Sequence, residues 1–148
     1  MKSLYADGVV VNPHCPPELL AEYCEPGWDS WMQSQAAQHP ATPTASLLTV
    51  IASNKGAVAT AARRNIARRD HSAILRAMLL TQSRGRRQIA ALVGCSVQRL
   101  LSQDPDPRIR YAIAIVATDA DLLTQLSRDR HARVRRAASD RVLDRLAS

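Results

Sequence analysis

The sequence predicts an all-α fold in which short helix pairs stack into a superhelix. Three observations favour it. An apolar motif recurs along the chain, with 20 to 28 residues between the starts of successive copies. Turns that contain proline or aspartate precede several of the copies. No long stretch shows the alternation of apolar and polar residues that is typical of a β-strand.

The recurring motif has two adjacent apolar residues and a third apolar residue three positions after the second. Positions i, i+1 and i+4 share one face of a helix, so each copy predicts an amphipathic helix. The copies are Leu19-Leu20…Tyr23, Leu47-Leu48…Ile51, Ile74-Leu75…Met78, the weaker Val97…Leu101, Leu122-Leu123…Leu126 and Val142-Leu143…Leu146. They define about five to six units, starting near residues 12, 39, 70, 94, 117 and 140, within a single domain over 1–148. A helix pair cannot bury its apolar face alone, so neighbouring pairs are expected to stack.

The turns supply the predicted helix starts. Thr42 is the expected N-cap of one helix, with Pro43 in its first position, where the missing N–H costs nothing. Thr118 or Asp119 is the expected cap of a later helix. Asp106 and Pro107 predict the start of a second helix in their unit. The segment that begins at Asp104 is matched 25 residues later by one that begins at Asp129.

These residues resemble the leucine-rich repeat variant family, a HEAT-like α-superhelical family. The resemblance is best over residues 12–20, 39–54 and 94–139. These ranges contain turns with proline, pairs of adjacent leucines and the Val-Arg dipeptide Val134-Arg135. It implies a right-handed solenoid, and members of the wider class are mostly protein-binding scaffolds, some of which bind DNA. Thr60 departs from the motif, which has Arg at that position.

Charge is divided unevenly along the chain. Residues 1–60 contain two Lys and five acidic residues, whereas residues 61–148 contain eighteen Arg and eight Asp. A basic C-terminal part indicates an acidic partner or a polyanion. The chain shows no disulfide pattern, no signal peptide and no apolar run long enough to span a membrane, so a reduced cytoplasmic setting is expected.

Arginines of the second helices are the candidate binding residues, because they recur once per unit and stacking would align them into a ridge. They are Arg63, Arg64, Arg86, Arg87, Arg108, Arg110, Arg133, Arg135 and Arg136. One interpretation is a track for an acidic protein or for phosphates. The other is structural: Arg110 and Arg135 would pair with Asp104, Asp106 or Asp129 of the turns, and the remaining Arg would solvate a surface.

Other candidate sites are weaker. The spacing of His14, Cys15, Cys24 and His39 does not fit a zinc site, so no metal or cofactor is expected. No nucleophile elbow or Gly-rich phosphate loop occurs, which argues against an enzyme. Three further interpretations concern single residues. Trp28 and Trp31 are expected to share one helical face as core or cap residues, and Cys95 to pack as a small apolar residue.

The sequence thus predicts a non-enzymatic module that presents a superhelical groove with a basic Arg ridge to an acidic protein. The alternative is non-specific binding of a nucleic-acid backbone by the same arginines.

Overall fold

The computed structural model describes residues 6–53 and 56–147, and this part of the chain is α-helical without a β-strand. The helices are α1 (Ala6–Val10), α2 (Pro17–Tyr23), α3 (Ser30–Gln38), α4 (Thr44–Ser53), α5 (Ala57–Ile66), α6 (His71–Leu80), α7 (Ser83–Leu92), α8 (Cys95–Leu101), α9 (Pro107–Val116), α10 (Ala120–Leu126) and α11 (Ala132–Ala147). The all-α prediction is confirmed.

The helices form two compact units, of which the first ends at Thr81 and the second starts at Gln82. In the first unit, α5 packs against α3 and α4, and α4 contacts α6. In the second, α9 packs against both α7 and α11, and α10 contacts α11. The superhelix and the single domain over residues 1–148 remain predictions.

The apolar motif supplies much of the core, because its helical face points inward in five of the six copies. Its buried members are Leu20, Tyr23, Leu47, Leu48, Ile51, Ile74, Met78, Leu101, Leu122, Leu123 and Leu126. Alanines are also part of the core, including the fully buried Ala36, Ala62, Ala90 and Ala138. Small side chains let neighbouring helices approach closely, which explains how a core without Phe can be filled.

The sixth copy of the motif does not start a new helix, and this prediction is wrong. Residues 132–147 form one helix, α11, because no Pro or Gly interrupts them. Leu143 and Leu146 are exposed, at 62% and 79% of their full accessible surface. The side chain of Arg141 instead donates hydrogen bonds to the carbonyls of Ala114 and Ala117 at the end of α9.

Aspartates cap several helices. Asp106 accepts from the Arg108 amide at 2.9 Å, with Pro107 in the first helical position, and Asp119 accepts from the Asp121 amide at 3.0 Å. Both predicted caps are confirmed. Thr42 is not a cap: α4 starts two residues later at Thr44, and the Thr42 hydroxyl donates to the Ala36 carbonyl at the end of α3.

Two further predictions about single residues are wrong. Trp28 precedes α3 and packs edge-on against Tyr23, with ring centroids 4.9 Å apart, whereas Trp31 lies on α3 and is 50% exposed. The two indoles therefore do not share a helical face. Cys95 is exposed at the start of α8 rather than packed, while Cys15 and Cys24 are buried.

Candidate functional site

The nine predicted arginines occupy different environments on α5, α7, α9 and α11. The exposed arginines are Arg64, Arg108, Arg133, Arg135 and Arg136. The half-buried ones are Arg63, Arg86 and Arg87, and Arg110 is buried. The set is therefore not one uniform ridge. Three of its members, all in the second unit, line a common cleft.

The cleft has a volume of about 370 Å³ and lies where α7, α9 and α11 begin. Its lining residues are Ser83, Arg86, Pro107, Arg108, Tyr111, His131 and Arg133. We call it the basic cleft. Ser83 and Pro107 are the first residues of α7 and α9, and His131 directly precedes α11.

Local capping places these helix starts. Asp106 caps α9 and thereby sets the position of Pro107 and Arg108. Asp129 accepts from the His131 amide at 2.8 Å and orders the turn that leads into α11. Because α9 packs against both α7 and α11, the side chains at the start of the three helices converge.

An ion pair occupies one side of the basic cleft. The guanidinium of Arg108 donates to both carboxylate oxygens of Asp106, with an Nη2–Oδ2 distance of 2.8 Å. Hydrogen bonds from this guanidinium hold the pKa of the Asp106 carboxyl below its usual value. Asp106 thus stays ionised and orients Arg108 at the rim.

Arg86 adds positive charge on the α7 side. Its pKa is lowered, first because burial removes water from the guanidinium and second because the charge of Arg108 lies near it; the Asp106 carboxylate opposes this effect. Both guanidinium groups line the same cleft, so their like charges repel each other there. Such a site favours an anion.

Arg133 is held by an aromatic ring on the α11 side. Its guanidinium carbon lies 4.9 Å from the centroid of the Tyr111 ring, within the range of a cation–π interaction. The ring limits the positions that this long side chain can adopt. Three guanidinium groups therefore line the basic cleft, and two of them are positioned, that of Arg108 by Asp106 and that of Arg133 by Tyr111.

Arg110 pairs with an aspartate of a turn, as the alternative interpretation predicted, whereas Arg135 bonds to a backbone carbonyl instead of a carboxylate. Arg110 is 4% exposed and forms a two-point ion pair with Asp129, at 2.8 Å for Nε–Oδ2, while its Nη1 donates to the carbonyls of Asp104 and Pro105. Arg135 donates to the Asp129 carbonyl at 2.9 Å. Burial alone would raise the pKa of Asp129, but bonds from Arg110 and from the His131 amide outweigh it and lower the pKa.

The other predicted arginines lie apart from the basic cleft. The Nε of Arg87 donates to the Ser83 carbonyl of its own helix at 3.4 Å. Arg64 lines a different cleft of about 540 Å³ in the first unit, between α3 and α5, together with Arg68. Asn65 also lines it, but its side-chain amide is used in bonds to the carbonyls of Ala37 and His39, both at 2.9 Å. Arg63 and Arg136 line neither cleft.

Sequence reasoning did not identify Ser83, Tyr111 or His131 as residues of the cleft. The signal was present in the register of the repeat. Ser83, Arg108 and Arg133 are spaced 25 residues apart, and so are Arg86 and Tyr111. Equivalent positions of neighbouring helices face the same side, so these residues could have been grouped.

The thiols and histidines do not form a second site among the described residues. No group of three or more His, Cys, Asp or Glu side chains in residues 6–53 and 56–147 could hold a metal ion. Burial raises the pKa of the Cys15 thiol and raises that of Cys24 to about 11, so both stay protonated at neutral pH. His39 is bound on both ring nitrogens, to the Asn12 carbonyl and the Ala41 amide. Within the described residues, the helices are also too short or too polar to cross a lipid bilayer.

Comparison with known proteins gives no relative: the chain matches no family model, no curated protein and no solved structure. The resemblance to the leucine-rich repeat variant family stays a prediction.

Proposed function

We propose that this protein is a non-enzymatic binding module whose basic cleft holds an acidic segment of another protein. The observation that carries the proposal is the convergence of Arg86, Arg108 and Arg133 in the lining of one cleft, beside which the carboxylate of Asp106 pairs with Arg108. The stacked-pair architecture proposed from the sequence is supported by the packing of α9 against α7 and α11. Rigid helices suit a site that must hold several charges in a fixed arrangement.

An acidic protein segment fits the cleft better than a nucleic acid does. The cleft is local, whereas a nucleic-acid backbone is bound through a continuous row of phosphates. The Tyr111 ring is in contact with Arg133, which competes with its use as a stacking platform for bases. A flexible acidic segment can place one or two carboxylates beside the guanidinium groups and keep the rest of its chain in solvent.

Electrostatics would set the orientation and the association rate of such a partner. Apolar surface beside the cleft, provided by the Tyr111 ring and Pro107, would add contact area. We therefore expect the affinity to fall as salt is added, because exposed charges are screened.

The test measures the affinity of a synthetic Glu-rich peptide by fluorescence anisotropy across a salt series. Replacing Arg86 and Arg133 together by Gln should weaken binding by about tenfold or more. The control replaces Arg84 and Arg136 by Gln, since these exposed residues lie on the same two helices outside the cleft. Both variants lose the same net charge, so only a local site distinguishes them.

Equal loss in the two variants would contradict the proposal, because it would show an effect of net charge alone. Duplex DNA measured in the same series tests the alternative function. If DNA binds more tightly than the peptide, with log K falling by several units per unit of log salt, the module is a nucleic-acid binder.

A further inference from the structure

A ligand with a single carboxylate would not neutralise the charge of the basic cleft. The cleft is lined by three arginines, Arg86, Arg108 and Arg133, and the carboxylate of Asp106 pairs with Arg108 beside it. The formal charges leave an excess of two positive charges, with His131 counted as neutral. A ligand group with two negative charges would neutralise the site, whereas one carboxylate would leave it positive.

The approach of Arg86 to Arg108 supports the same conclusion. Burial first, and the charge of Arg108 second, lower the pKa of Arg86, while the carboxylate of Asp106 raises it. The positive charges of Arg86 and Arg108 therefore repel each other at the cleft. An anion placed between the two side chains removes that repulsion and adds attraction to both. The gain grows with the charge of the anion, so a dianion benefits more than a monoanion.

We infer that the basic cleft binds a phosphate monoester dianion carried by a phosphorylated side chain of the partner segment. This inference rests on the proposed function, because it names the chemistry of the acidic segment. At neutral pH a phosphate monoester carries about −1.5 to −2 charges, whereas a carboxylate or a backbone phosphodiester carries about −1. A guanidinium group can form two parallel hydrogen bonds to two oxygens of a phosphate. A carboxylate has only two oxygens, so it can bind only one guanidinium group in this way at a time.

The geometry of the cleft suits this ligand. Its volume of about 370 Å³ exceeds that of a phosphate group and leaves room for the side chain that carries it. Arg133 is positioned by the Tyr111 ring and Arg108 by Asp106, so two of the three guanidinium groups are ordered before the ligand arrives. Preorganised groups bind with a smaller loss of side-chain entropy.

The direct test compares phenyl phosphate with phenyl sulfate by isothermal titration calorimetry on the full chain. The two probes have the same ring and a tetrahedral anionic group, but the phosphate is mainly a dianion at about pH 7.5 and the sulfate is a monoanion. We expect phenyl phosphate to bind at least about tenfold more tightly at this pH. Equal affinities would overturn the inference.

Acidification provides a second readout. The second ionisation of the phosphate has a pKa of about 6, so the preference for phenyl phosphate should disappear at about pH 5. His131, Arg86, Arg108 and Arg133 line the cleft, and Asp106 pairs with Arg108 beside it. At about pH 5 both probes are monoanions, so the charges of these groups act on both probes alike. The ratio of the two affinities therefore reports the charge of the ligand. A ratio independent of pH would contradict the inference.

Variants show where the probe binds. Arg86→Gln and Arg133→Gln should each remove most of the preference for phosphate, whereas the matched controls Arg84→Gln and Arg136→Gln should keep it. Circular dichroism establishes that each variant is folded. Loss of the preference in the control variants would place the phosphate outside the basic cleft and overturn the inference.

The source of the phosphate is resolved with three further probes: a neutral peptide with one phosphoserine, adenosine monophosphate and a 5′-phosphorylated oligonucleotide. The phosphopeptide should bind most tightly, and its unphosphorylated form should not bind. Tighter binding of either nucleotide probe would overturn the assignment to a protein segment. If the Glu-rich peptide binds at the cleft but phosphate is not preferred, this inference fails and the proposed function stands. If neither binds, both fail.

Discussion

Arg110 shows that an arginine can be a core residue in this protein. It is almost fully buried, and its guanidinium is bound by the Asp129 carboxylate and by two backbone carbonyls. A buried charge of this kind is tolerated only when its hydrogen bonds are made. Arg108, two residues earlier, is exposed at the rim of the basic cleft. The two arginines lie on different sides of the start of α9, so Arg108 lines the cleft and Arg110 is part of the core.

Removing the carboxylate of Asp129 should be strongly destabilising. In Asp129→Ala the Arg110 charge loses its partner while it stays buried, and we expect the free energy of unfolding to fall by about 3 kcal/mol. Urea unfolding followed by circular dichroism measures this. The control is Arg99→Gln, which breaks an ion pair whose Arg99 side chain is 64% exposed and should leave the unfolding midpoint unchanged. Equal effects of the two variants would show that the Arg110 pair is not part of the core.

The same pair predicts how stability depends on pH. The folded pKa of Asp129 lies below its usual value, and so do those of Asp106 and Asp119. A depressed folded pKa gives a stabilisation that is complete above the unfolded value of about 3.9 and is lost as the pH falls through the folded value. The urea concentration at the unfolding midpoint should therefore decrease as the pH is lowered below about 4. In Asp129→Asn this decrease should be smaller. An unchanged acid decline in Asp129→Asn would contradict this origin.

At the scale of single helices, starts were more predictable than ends. Asp106 and Asp119 could be assigned as caps from the sequence, because a short acceptor before an apolar face is a strong local signal. The end of α3 could not be predicted, because the backbone carbonyls of Ala37 and His39 accept hydrogen bonds from the side chain of Asn65, a residue of α5. A cap supplied by another helix leaves no local pattern. The continuation of α11 through residue 140 is consistent with the absence of Pro and Gly from residues 132–147, but the sixth copy of the apolar motif predicted a new helix there.

The cap of α9 can be separated from the charge of Asp106. Asp106→Ala removes the bond to the Arg108 amide and should cost about 1 kcal/mol. Asp106→Asn keeps a cap of similar strength and should unfold close to the wild-type midpoint. Because Asn removes the negative charge of the basic cleft, this variant should also bind the Glu-rich peptide more tightly. Anisotropy and urea unfolding on the same samples measure both effects, and equal destabilisation by Ala and Asn would argue against the capping role.

Exposure of the last copy of the motif is also testable. Leu143 is 62% exposed, whereas Leu123, the same position of the previous copy, is fully buried. We expect Leu123→Ala to reduce the free energy of unfolding by about 2–5 kcal/mol and Leu143→Ala to change it by less than about 0.5 kcal/mol. Urea unfolding compares the two. Similar losses would indicate that the end of α11 is packed as a sixth repeat unit.

At the scale of the whole molecule, the sequence shows where positive charge is concentrated but not how it is arranged. Eighteen Arg lie after residue 60, and this asymmetry is visible without a structure. Which arginines share a cleft depends on side-chain direction at the helix starts. Arg86, Arg108 and Arg133 converge, Arg110 turns into the core, and Arg136 stays in solvent. The helical class was predictable because apolar spacing and caps agree with each other.

The most direct test of the account maps the bound peptide by NMR. Amide chemical shifts of the labelled protein are followed as the Glu-rich peptide is added. We predict that the largest changes cluster at the start of α7, α9 and α11, including Ser83, Arg108, Tyr111 and Arg133. Changes centred on α3 and α5, or spread evenly over the arginines, would contradict the claim that the basic cleft is the binding site.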